Sequence, residues 1–319
     1  MSSSKVLYIN ISGTSSEIMK NLVLAGIRGA VADGRPYPET LSQTPTSFLP
    51  PSERDGSNSN SEKDVDANAN ANEPDKKRLK KMSVAKAMQP HILELNPLLE
   101  ECEINEEDVP SIPSEYFTKF DIVVASNIGL DEATRISKAT VSKGGKFYHV
   151  HAFGLYACAL IDLGEGHTYR KEIGKDKLSD VTTLNPYTSL EHMLQKKLSD
   201  VNDRWHKTGP PQVYAKYRAI LNFYELKRYY PNAESVNDFV GATKQFLEDQ
   251  GLEGNYLGGD DELKQLAITA NAEISPVCAV MGGVLGNEII KAISGKGEPA
   301  NNMLLFDGND GGCKSFALK

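Results

Sequence analysis

The sequence has no Cys-x-x-Cys pair: its four cysteines, Cys102, Cys158, Cys278 and Cys313, lie far apart. That spacing argues against a zinc site and against a disulfide framework. No neighbouring histidine or cation marks any of the four as activated, so each reads as a small buried apolar residue rather than a nucleophile. Positive charge is also in deficit, and a formal net charge of −8 disfavours a general nucleic-acid surface. No apolar run approaches the ~20 residues that cross a bilayer. The start, Met1-Ser2-Ser3-Ser4-Lys5, has no apolar signal core, so an intracellular protein without a membrane segment is expected.

The most informative scarcity is local, because glycine is missing where one turn most needs it. Lys5 to Asp33 reads as strand, turn, helix and second strand. Val6 to Ile11 is a short β-branched and aromatic run of the kind buried on both faces of a parallel sheet. Glu17 to Ala25 places Ile18, Met19, Leu22 and Val23 on one helical face, and Gly26 suits a left-handed helix stop. Arg28 to Ala32 returns as a strand, and Asp33 stands where nucleotide folds put the acid that bonds a ribose hydroxyl. The turn reads Asn10-Ile11-Ser12-Gly13-Thr14-Ser15-Ser16, so Asn10, Ser12 and Ser15 hold the three glycine positions of a G-x-G-x-x-G loop. A Cβ at each narrows the backbone and fills space that a phosphate would occupy. The frame is that of a nucleotide site with the site itself disabled; an ordinary α/β turn that never held a ligand is the alternative.

From Arg35 to about Arg78 the composition leaves that of a compact domain. Residues 36–80 form a low-complexity insertion, proline-punctuated at first and then almost free of apolar residues, and 52–80 is expected to be disordered. Its basic end, Lys76-Lys77-Arg78-Leu79-Lys80-Lys81, is of nuclear-import type or the solvated start of the next helix. A helix over Met82 to Glu94, kinked near Pro90, is followed by strands at Leu98 to Ile104 and Phe120 to Ser126. A helix over Asp131 to Ser142, a stop at Gly144-Gly145 and a strand at Lys146 to Ala152 come next. Such alternation predicts an α/β, Rossmann-like, mostly parallel sheet with helices on both faces, and the whole of 1–319 is expected to form one domain.

Leu155 to Leu163 and Thr168 to Glu172 read as further strands of antiparallel type, and 188–272 is mainly helical. Tyr214, Tyr217, Phe223, Tyr224, Tyr229 and Tyr230 fall on those helices as core or interface aromatics. His149 and His151 share one face of a strand, but nothing points to a third ligand, so no metal is expected. The last helix runs from Ser275, read as its N-cap, through Pro276 to a glycine stop at Gly295. Three internal glycines, Gly282, Gly283 and Gly286, each cost about 1 kcal/mol relative to alanine, which predicts a close-packing helix. A strand at Met303 to Phe306 ends at Asp307-Gly308.

The run SPVCAVMGGVLGNEIIKAISGKGEPANNMLLFDG resembles the smaller-subunit family of the heterodimeric SUMO-activating enzymes. KVLYINISGTSSEIMKNLVLAGI resembles the first strand and helix of the wider ubiquitin-activating family, and HILELNP, FDIVVAS and HAFGLYACALIDLGE fit the same order. The resemblance implies a ThiF-type adenylation fold that pairs with a larger catalytic subunit. That partner would bind ATP and magnesium, adenylate the SUMO C-terminus and carry the thioester cysteine. It implies no catalytic residue and no cofactor in this chain, which would be inactive alone and reach SUMO through the complex, in the nucleus and secondarily the cytoplasm. The family's active half has glycines in the first turn and a magnesium aspartate after the fourth strand; here the matching places hold Ser12, Ser15 and Ser126 followed by Asn127. Family members also carry an arginine-bearing segment ahead of the first strand that reaches the partner's ATP site, and the sequence given has none. The alternatives are a regulatory subunit for another ubiquitin-like modifier, or an independent adenylating enzyme or oxidoreductase, which would need a working glycine turn.

Overall fold

A computed structural model describes residues 4–37, 40, 82–99, 101–175, 177–201 and 209–318. Most of the low-complexity insertion, with its basic run at 76–81, lies outside the described residues. The central sheet has eight strands. They are β1 (Lys5–Ile9), β2 (Arg28–Ala32), β3 (Glu103–Asn105), β4 (Ile122–Ser126), β5 (Lys146–Phe153), β6 (Tyr156–Asp162), β7 (Met303–Asp307) and β8 (Gly312–Phe316). Their order is β8-β7-β6-β5-β4-β1-β2-β3. The pairs from β3 to β5 are parallel and those from β5 to β8 antiparallel.

The parallel strands are buried on both sides, which is why they read as continuous apolar runs rather than alternating ones. Val6, Tyr8, Val31 and Val124 face a layer made by α1 (Gly13–Leu24), α2 (Val84–Leu95) and α7 (Ser275–Ser294). Leu7, Ile9, Ala30 and Val123 face the other layer, made by α3 (Leu130–Val141), α4 (Gln212–Lys227), α5 (Val236–Asp249) and α6 (Asp260–Thr269). Tyr214, Tyr217 and Phe223 of α4 are buried packing residues of that second layer, whereas Tyr229 and Tyr230 lie beyond the helix end at Lys227 and Tyr229 is exposed. The first and last strands of the described chain share one sheet.

Several boundaries differ from the sequence reading for local reasons. β1 stops at Ile9 because Asn10 turns into the left-handed region at φ 52°, which asparagine tolerates better than most side chains. The strand expected over Leu98 to Ile104 is confined to β3, where it pairs with β2 at the sheet edge. Thr168 to Glu172 is split between two small two-stranded ribbons. α7 is capped at Ile274 rather than Ser275, which becomes its first helical residue, whereas Gly295 ends it at φ 64°.

α7 is also long and apolar enough to cross a membrane by length and composition, contrary to the expectation that no apolar run approaches that length. Its apolarity has another use here. Val277, Cys278, Met281, Leu285 and Ile289 form a buried stripe against α1 and the sheet.

Candidate functional site

Ligands of doubly wound sheets sit at the carboxyl ends of the strands, where the chain leaves neighbouring strands in opposite directions. In this sheet that switch point lies between β1 and β4. Both strands end in a left-handed asparagine, Asn10 and Asn127, each at φ 52°. The Asn10 side-chain amide donates to the Asn127 carbonyl at 3.2 Å, tying the two strand ends together across the crevice.

The α1 turn then closes on itself. Ser12 is the N-cap, its Oγ accepting from the Ser15 amide at 3.0 Å, while the Ser15 Oγ accepts from the Ser12 amide at 2.8 Å. This is a capping box with serine in both roles. The two amides left, those of Gly13 and Thr14, donate to the Glu273 carboxylate, at 2.8 Å to Oε2 and 3.5 Å to Oε1. Every backbone donor at the start of α1 therefore has a partner within the chain, and the partially positive helix terminus already faces a carboxylate. Burial raises the Glu273 carboxyl above its usual range, while the Gly13 and Thr14 amides, Ser12 and Arg35 pull it back down.

Asp33 is fully buried, and its carboxylate accepts from the Ile11 amide at 2.8 Å. Arg35 grips it with Nε at 2.9 Å and Nη2 at 2.7 Å, and the same Nη2 reaches the Ile11 carbonyl at 2.7 Å. The acid at the ribose position is thus consumed in a forked ion pair with its own chain. Ser126 is buried at the end of β4, its hydroxyl without a hydrogen-bond partner among the described residues. The structure thus brings Ser12, Gly13, Ser15 and Asp33 together around Ile11, with Ser126 on the adjoining strand. Sequence reasoning missed Glu273 and Arg35. The first is remote in sequence from the turn it caps and carries no motif; the second is visible only as a residue two beyond Asp33.

The glycines of α7 separate by face. A Cβ on Gly282 would land on Glu17 Cβ and lie 3.3 Å from Glu17 C and Ile18 N, so α7 meets the backbone of α1 there. At Gly286 the nearest atom would be Asn21 Cβ at 3.6 Å, an ordinary contact. Gly283 has nothing within 4 Å and is no part of the close approach, because one residue along a helix turns the side chain by about 100°.

Burial pushes the Cys102 and Cys278 thiols up to about 12 and raises those of Cys158 and Cys313. His149 donates from Nε2 to the Ile128 carbonyl at 3.2 Å, which leaves Nδ1 to accept from the Tyr217 hydroxyl at 2.7 Å. His151 donates from Nε2 to the Ala270 carbonyl at 2.8 Å. Burial lowers His149 to about 3 and His151 to about 4, so both are neutral near pH 7. No group of three or more potential metal ligands occurs among the described residues.

The sheet is of Rossmann-like α/β class, mostly parallel with antiparallel strands added at one edge and helices on both faces, as the sequence predicts. Over almost its whole length the chain is similar to the smaller subunits of SUMO-activating enzymes. It is 28% identical over 316 residues to SUMO-activating enzyme subunit 1B-1 of Arabidopsis thaliana, covering 98% of this chain and 88% of that protein. To SUMO-activating enzyme subunit 1 of Danio rerio it is 26% identical over 330 residues, 97% of this chain and 86% of that protein. The same subunit of Dictyostelium discoideum is 26% identical over 320 residues, 97% of this chain and 84% of that protein. No family model matches the chain.

Proposed function

We propose that the chain is the non-catalytic subunit of a heterodimeric SUMO-activating enzyme. It pairs with a larger catalytic subunit that holds ATP and magnesium, adenylates the SUMO C-terminus and forms the thioester; SUMO meets this chain only through the complex. The similarity to SUMO-activating enzyme subunit 1 across 97% of the chain or more supports this reading. The observation that carries the non-catalytic part is the self-closure of the turn: the Gly13 and Thr14 amides are taken by Glu273 and the Asp33 carboxylate by Arg35. A nucleotide would have to displace both before its phosphates met the α1 terminus or its ribose met the acid. The chain then contributes no cofactor of its own and serves as a folded partner. The basic run at 76–81 fits residence in the nucleus, with the cytoplasm as a second compartment.

The test is copurification of the tagged chain from its own cells and identification of the protein bound to it. A larger subunit bearing glycines in its first turn and an inserted cysteine domain is the expected catch. Recovery of a catalytic subunit dedicated to a different modifier, or of the chain alone, would overturn the assignment.

A further inference from the structure

We draw no further inference here: the strongest candidate, the groove along the β8 edge of the sheet lined by Val201, Pro211, Val284, Met303, Phe316 and Leu318, carries none because nothing in the structure shows what covers it.

Discussion

Replacing the three glycines of α7 one at a time by alanine sets helix propensity against packing with the chemistry held constant. Each change gains about 1 kcal/mol from propensity, because glycine loses more backbone entropy on folding. At Gly283 nothing lies within 4 Å of the new Cβ, so that gain should appear almost whole. At Gly286 the Cβ would rest 3.6 Å from Asn21 Cβ, and a gain of similar size is expected. At Gly282 the methyl would overlap Glu17 Cβ and crowd Glu17 C and Ile18 N at 3.3 Å. These atoms belong to, or are bonded directly to, the backbone of α1, so no rotamer change relieves the overlap and the two helices must part. Overpacking costs typically about 1–3 kcal/mol, and the upper half of that range applies where backbone must move. The net loss for Gly282→Ala is then about 1–2 kcal/mol. Urea denaturation of the three variants measures the differences, and the order of midpoints should be Gly283→Ala and Gly286→Ala above wild type, with Gly282→Ala below. Leucine at 286 reaches past the Asn21 contact and should lower stability where alanine raises it. A Gly282→Ala midpoint raised as far as that of Gly283→Ala would refute the close approach of α7 to α1.

Three further expectations follow from the same structure. Calorimetric titration of the isolated chain with Mg-ATP should show no micromolar binding, since Glu273 and Arg35 hold the groups that phosphate and ribose would need; a measurable enthalpic isotherm contradicts it. Buried His149 and His151, held near 3 and 4, bind fewer protons folded than unfolded once the pH is below the unfolded value of 6.5. Their stabilising contribution is therefore complete above about pH 6.5 and is lost as the pH falls toward their folded values, by about 2 kcal/mol per histidine on reaching pH 5. Denaturation midpoints from pH 7.5 to 4.5 check this, and His149→Gln should make the acid limb shallower; an unchanged limb counts against the neutral buried ring. Single Cys→Ala changes at Cys102, Cys158, Cys278 or Cys313 should leave thioester formation by the assembled enzyme intact, because burial raises all four thiols. A folded, partner-bound variant that blocks the thioester would reverse that conclusion.

The sequence by itself determined what depends on near neighbours and on period. Apolar runs between turn residues placed β1, β2, β4 and β5, because a strand buried on both faces has to be apolar throughout. Gly26 and Gly295 marked helix ends because only left-handed backbone closes them cheaply. The family resemblance was legible for the same reason, in local runs read in order. Tertiary structure decided whatever joins residues remote in sequence. That Glu273 caps α1, that Arg35 locks Asp33 to Ile11, and that Asn10 bridges to Asn127 are hydrogen bonds with no periodic signature, fixed only once the sheet order brings those ends together. It likewise decided which α7 glycine matters. Composition puts Gly282, Gly283 and Gly286 on an equal footing, and only the direction from which α1 approaches makes Gly282 indispensable and Gly283 free.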